Sequence, residues 1–307
     1  MKKITLEGGI EAITYAPPQG FDPLTASPAD LAAHGFPPLP EDPHHLERYK
    51  RVFSQLKHKF NYIQPTFRVR TDRIHGPRHR QATAGTETST NWSGSVVYAP
   101  AGQSFKWVEG DWVVPNVDAP TQNQWYYCAS WIGIDGDGSP DVFQAGVETE
   151  VFQSGSSITR HVYPWWEWYP IAEVQITNFA ISPGDMVTVL LCSQQGVGST
   201  TGTVYITNRT SGASTHVTLT APGTTKLVGN CAEWIVEAPT VGGAQSALAD
   251  YGEVFFSSCE AVTAGNTTVN GGTGNNINMT AAGKVVSDGN LITPTIVQCA
   301  YVGTLPS

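Results

Sequence analysis

The alternation of apolar and polar positions changes character once along this chain. Residues 84 to 307 carry short runs in which the two kinds alternate, separated by Gly, Pro, Asn or Asp, with no long helical period. Runs of period two predict strands with one buried and one polar face. Spread over roughly 200 residues, they predict an all-β sandwich or barrel with a sizeable core. The first 83 residues read differently. Ser27-Pro28-Ala29-Asp30 starts a short helix, with Ser27 as N-cap and Pro28 at the first helical position, and Gly35 ends it. Asp42-Pro43 caps a second helix, in which Leu46, Tyr49, Phe53, Leu56 and Phe60 recur at spacings of three and four. Arg48, Lys50, Arg51, Lys57 and Lys59 fall on its other side, and the helix has no core of its own in which to bury the apolar stripe. From Arg68 to Ser89 the chain is basic, then polar and Gly/Thr-rich, which predicts an exposed linker open to proteolysis. The chain therefore divides into a leader, 1–83, and a β domain, 84–307.

Strand alternation assigns faces within the β domain, because successive side chains of a strand point to opposite sides. Along 142–150, Gln144, Gly146, Glu148 and Glu150 share one face, with Phe143, Ala145 and Val147 opposite. Trp165, Glu167 and Tyr169 fall together, backed by Trp166 and Trp168. Glu233, Ile235 and Glu237 do the same, backed by Trp234 and Val236. Three segments thus offer a face of carboxylates, an amide and aromatics over an apolar back. Solvated outer faces of ordinary strands would look the same, and periodicity alone does not make the three converge.

Charge separates the two parts further. Of 17 Lys and Arg, 12 precede Thr83, against 8 of the 26 acidic residues, so the leader carries +4; the remaining 5 basic and 18 acidic residues give the β domain −13. Six of the eight His also lie in the leader. A basic arm can signal nucleic acid, but a strongly acidic body would repel phosphate. Charge complementarity favours the arm binding its own body, with no nucleic-acid partner.

Candidate chemistry is narrow. No serine, cysteine or zinc hydrolase signature is present, and with no CxxC, no HExxH and only His161 and His216 in the β domain the sequence predicts neither metal nor cofactor. All five cysteines (Cys128, Cys192, Cys231, Cys259, Cys299) lie in the β domain, which allows one or two disulfides and leaves at least one thiol unpaired. No run is apolar enough to cross a membrane, so no membrane partner is expected. Met1-Lys2-Lys3 resembles the start of a signal peptide, but Glu7 and Glu11 interrupt any apolar stretch that follows. What remains is Gln144 in Val142-Phe143-Gln144-Ala145-Gly146 and the carboxylates of Ala232-Glu233-Trp234-Ile235-Val236-Glu237. A Glu can serve as general base on a water, and a Gln amide can donate to an oxyanion without titrating. Such a pair would hydrolyse amides in acid, where a His base is disabled by protonation.

The segments NWSG (91–94), WIGIDG (131–136), FQAG (143–146), WWEWYP (165–170) and AEWIVE (232–237) resemble, in order and approximate spacing, the glutamic peptidases or eqolisins, here in a bacterial proenzyme form. The resemblance is strong from Asn91 to Glu237 and weaker beyond. It implies a double-sheet antiparallel β-sandwich, jelly-roll-like, with substrate lying across a concave face and a mixed, partly helical basic propeptide in front. It implies an acid-acting endopeptidase in which Gln144 and Glu237, rather than Glu233, are catalytic. Trp131, Asp135, Trp165 and Glu167 would line the cleft, with Glu148 (where the family usually has Asp) and Trp92 in support. Asp135 and Trp131 serve equally well as a turn residue and its packing aromatic. The partners implied are polypeptide substrates and the propeptide itself as intramolecular inhibitor, released as the pH falls toward about 4. A secreted, extracellular monomer would follow. Two other readings stay open on the residues: a carbohydrate-binding sandwich stacking sugars on Trp165, Trp166, Trp168 and Tyr169, and a glycosidase pairing Glu237 with Glu167 or Glu148.

Overall fold

A computed structural model of the chain describes residues 1–53, 61–81 and 87–303. The β domain is an all-β sandwich. One sheet runs, neighbour to neighbour, through strands Glu173–Ile176, Ser157–Trp168, Phe143–Ser154, Trp125–Ile134, Cys231–Glu237, Trp92–Tyr98 and Asn275–Ala281, all pairs antiparallel. The other runs through Ala213–Thr220, Thr201–Asn208, Met186–Ser193, Phe105–Val113 and Glu253–Thr263. The first half of Glu253–Thr263 turns to pair with Ile296–Tyr301, which continues through Lys284–Thr293 to Asn275–Ala281 and joins the two sheets along one side.

The expected alternation decides what lies between the sheets. Phe143, Ala145, Val147, Trp166, Trp168, Trp234 and Val236 point inward and pack with Val187, Val189, Leu191, Val204, Ile206 and Val217 in one continuous core. Trp166 and Trp168 are therefore unreachable as sugar-stacking platforms. All five cysteines are free thiols, four of them fully buried, so none of the disulfides that the sequence allows is present.

The leader lies on its own body. Strand Glu11–Thr14 extends the second sheet beside Ala213–Thr220, and Asn61–Tyr62 pairs with the start of that same strand. Ser27 caps helix Pro28–Ala33 by accepting from the Asp30 backbone N–H at 3.1 Å, and Asp42 accepts from His45 N–H at the start of helix Pro43–Phe53. Tyr49, Val52 and Phe53 of that helix bury themselves with Leu31 and Phe36 against Leu190 and Tyr205, on the outer face of the second sheet. Leu56 and Phe60, expected to continue the stripe, lie outside the described residues. Residues 68–81 differ from the expected exposed linker. Phe67–Arg70 adds an edge strand to the first sheet beside Glu173–Ile176, and Arg73, His75 and Arg78 are buried in the concave face. A polar segment is buried here because it meets carboxylates of its own chain rather than water.

Candidate active site

The concave face of the first sheet gathers side chains from five strands around one residue of the leader, His75, which is completely buried. Trp125–Ile134 forms the floor. On one side of it Gly146 and on the other Ile235 stand opposite Trp131, and Gly133 stands between Gln144 and Glu233. Glycine is required at 146, since a Cβ there would come within 2.5 Å of the Trp131 Cβ. The missing side chain at Gly133 leaves room for the Trp131 ring, whose Cζ3 would lie 2.8 Å from a Cβ there.

Glu237 is oriented by two body donors: Trp131 Nε1–H gives to its Oε2 at 2.9 Å and Asn91 Nδ2–H to its Oε1 at 3.3 Å. Trp92 meets Trp131 edge to face, ring centroids 4.9 Å apart, and fixes the indole from behind. On the neighbouring strand Gln144 donates through Nε2 to the backbone carbonyl oxygen of His75 at 2.5 Å. The His75 N–H donates to the Glu167 carboxylate at 3.1 Å. The imidazole stacks on Trp165 with centroids 3.8 Å apart and planes 8° from parallel, while Nδ1 lies 3.2 Å from Glu237 Oε2 and Nε2 lies 2.9 Å from Glu173 Oε2. Carboxylates only accept, so an imidazole bonded to two of them through both nitrogens is an imidazolium. Burial alone would push this imidazole down, but the bonds to Glu173 and Glu237 and their charges outweigh it and hold the group well above the usual histidine value.

The other carboxyls are set chiefly by burial. Glu148 and Glu167 are both pushed well above the carboxylate range by desolvation, opposed by the nearby His75 charge. Both oxygens of Glu148 lack a hydrogen-bonding partner among the described residues, which makes its neutral form the cheaper one. His75, Glu148 and Glu173 bring three donor atoms within 4.8 Å of one another. With both ring nitrogens already donating, this group shares protons and leaves no imidazole lone pair for a cation.

Gln144, Trp165, Glu167 and Glu237 thus all touch one leader residue, Trp131 and Trp92 support Glu237, and Glu148 sits beside them. Asp135 does not join this group. Its carboxylate accepts the backbone N–H groups of Val228, Gly229 and Asn230 at 2.8 to 2.9 Å, in a residue with φ of 75°. Burial pushes it up to about 6, against those three bonds. It sits in the turn that pins the 228–230 loop, the first of the two places the sequence allowed it. Sequence reasoning missed Glu173, Asn91, Asp137 and His75 itself. Asp137 receives Arg78 at 3.0 Å, Arg80 at 2.6 Å and the Tyr98 hydroxyl at 2.6 Å; one signal for it was its place just past the WIGIDG run.

Comparison with known proteins follows the same residues. The Peptidase A4 family model matches residues 90–301. Aspergillopepsin-2 of Aspergillus niger is 30% identical over 203 residues, 60% of this chain and 68% of that protein. A crystal structure of scytalido-glutamic peptidase with a transition state analog inhibitor superposes with a TM-score of 0.59 at 22% identity, covering 69% of this chain and 98% of the other. SCP-B, an eqolisin solved in complex with the tripeptide Ala-Ile-His, superposes at 0.54 with 20% identity and the same coverage.

Proposed function

Because this chain belongs to the Peptidase A4 family, the glutamic peptidases, we propose that Glu237 and Gln144 are the pair with which it cuts peptide bonds. The protein is an acid-acting endopeptidase and its substrates are polypeptides. In the reaction assigned here, ionised Glu237 takes a proton from a water that attacks the scissile carbonyl, and returns a proton to the leaving amine. The Gln144 amide donates to the oxygen as it becomes an oxyanion. Trp131 and Asn91 orient the Glu237 carboxylate, and Trp165 and Glu167 hold the peptide, Glu167 by accepting the peptide's backbone N–H.

One observation carries this assignment. A peptide is already seated in the cleft, with its carbonyl on the Gln144 amide and the Glu237 carboxylate against the same residue. That residue follows Ile74, and a relative of this chain was solved with a peptide ending in the same Ile-His pair. The leader, 1–83, is on this reading an inhibitory propeptide of a monomeric, exported enzyme whose catalytic domain is 84–307. The ion pairs that its cations make with Glu150 and Asp137 support inhibition by occupation of the cleft at neutral pH.

Casein digestion at acidic pH, with an aspartic-peptidase inhibitor present, tests the pair. Gln144→Ala should lose about 10²- to 10³-fold in turnover, and Glu237→Gln should lose activity to background. Digestion at the wild-type rate by either variant overturns the assignment.

A further inference from the structure

We propose that the bond between His75 and Gly76 is the first one this enzyme cuts to free itself, and that the His75 side chain keeps it uncut until acid loosens the grip on the ring. This rests on Glu237 and Gln144 being the catalytic pair.

The carbonyl that Gln144 holds belongs to the 75–76 peptide bond. The segment around it is held on both sides. Upstream, Arg73 and Ile74 pair with strand Thr240–Val241, and the Arg73 guanidinium bonds Glu150 at 3.0 Å and lies 4.8 Å over the Tyr127 ring. Downstream, Asn91 donates to the Pro77 carbonyl at 3.2 Å, Arg78 N–H donates to the Gly136 carbonyl at 3.0 Å, and the Arg78 guanidinium bonds Asp137. Two carbonyls in this stretch are held by side-chain amides, that of Pro77 by Asn91 and that of His75 by Gln144, and the second is held by the amide assigned to the oxyanion. A Cβ at Gly76 would meet only Tyr169, at 3.7 Å.

The same residue disarms the site it enters. Its Nδ1–H donates to Glu237 Oε2, the oxygen that also takes the Trp131 N–H, so the base is paired with a cation where it would otherwise accept from water. Nε2–H donates to Glu173, and the ring lies flat on Trp165, so the imidazolium is held from three sides. The acidic groups facing His75 come from four strands: Glu237, Glu173, Glu167 on its N–H, and Glu148 nearby. The imidazole itself does not open the site in acid. Its raised value means that the stability it contributes is present below the ordinary imidazole value and lost only as pH rises through the raised one. Acid acts on the carboxylates. Once the bond from Nε2 to Glu173 is broken the ring can leave Glu237, whose Oε2 is then free to accept from water. Hydrolysis adds that water across the bond: its oxygen, with one hydrogen, goes to the His75 carbonyl carbon, and its other hydrogen goes to the Gly76 nitrogen.

The test uses the full chain, purified at neutral pH, acidified and sampled over time by intact mass and N-terminal sequencing. The earliest fragments should end at His75 and begin at Gly76. His75→Gln and Glu173→Gln keep near-native shape but break the charged bridge, and the pH of half-processing should rise by about one to two units. An earliest cut elsewhere, with 75–76 intact, overturns the inference even if the variants behave as expected, as do pH profiles of both variants that coincide with wild type. Glu237→Gln separates the two levels of the argument. If it is not processed while wild type is first cut elsewhere, the catalytic pair stands and this inference falls; if it is processed like wild type, the pair falls and takes the inference with it.

Discussion

The leader grips its body at two patches built on opposite physics. On the outer face of the second sheet the grip is largely apolar: Phe53 stacks among Tyr49, Phe36 and Tyr205 with centroids 4.5 to 5.6 Å apart, and Arg48 and Arg51 add ion pairs to Glu260 and Glu109. In the cleft it is charged almost throughout, through Arg70, Arg73, His75, Arg78 and Arg80 against Glu150, Glu173, Glu237 and Asp137. Aromatic burial does not respond to pH and ion pairs do. The outer patch is therefore expected to act as a tether that outlasts the cleft patch, the seal, as the pH falls.

The largest expected effect breaks the tether alone. Phe53 is 3% exposed, and Phe53→Ala should cost the outer patch about 3–5 kcal/mol. Hydrogen exchange at neutral pH should show the amides of Pro43–Phe53 losing protection while those of 73–79 keep theirs. Equal loss in both segments would mean that the leader is one cooperative unit and that the two-patch division is wrong.

Breaking the seal alone is the complementary change. Glu150 accepts from Arg73, His161 and Tyr163 at 3.0 Å each. Glu150→Gln removes the charge from those bonds and should cost the cleft patch about 1.5–3 kcal/mol, so that limited proteolysis at neutral pH reaches 67–81 while helix Pro43–Phe53 stays protected. Acid should do the same to wild type. Burial raises Glu150 and Glu260, but the bonds from His161 and Arg73 to the first, and from Arg48 and Arg51 to the second, outweigh it and leave both below the ordinary carboxylate value. The sign is then fixed: their contribution is present above the ordinary value and lost as pH falls through the lowered ones. Protection followed from neutral to about pH 3 should fall in the cleft segment first. If the helix opens first, the outer patch depends on Glu260 more than on its rings.

The sequence revealed these patches unequally, for a physical reason. Both faces of the catalytic sheet were legible, because the period of a strand is local: Phe143, Ala145 and Val147 inward with Gln144 and Glu148 outward follows from counting. The apolar stripe through Leu46, Tyr49 and Phe53 was legible in the same way, and so were the caps at Ser27 and Asp42. The cleft seal was not. Composition cannot distinguish a polar segment that faces water from one that faces carboxylates far along its own chain, so Arg68 to Ser89 read as a linker. Glu173 and Asn91 join the site only through tertiary contact. Asp135 stayed undecided between two places for the converse reason, since a motif match carries a residue's identity but not the direction of its side chain, which here turns to three backbone N–H groups.

The smallest effect sharpens the comparison by touching the tether where no charge pair with the body is involved. Ser27 accepts from Asp30 N–H and donates to the Asp30 carboxylate at 2.7 Å, so it caps helix Pro28–Ala33 using only leader atoms. Ser27→Ala should cost about 1 kcal/mol. That loss should appear as faster exchange in Pro28–Ala33, and through Leu31 and Phe36, which share the cluster with Tyr49 and Phe53, as a smaller loosening of the second helix. The pH at which the cleft segment opens should not move, because neither Ser27 nor anything it touches faces a cleft carboxylate. A shift in that pH would mean that the tether and the seal are coupled through the body, and that acid release reads the stability of the whole leader rather than the charges around His75.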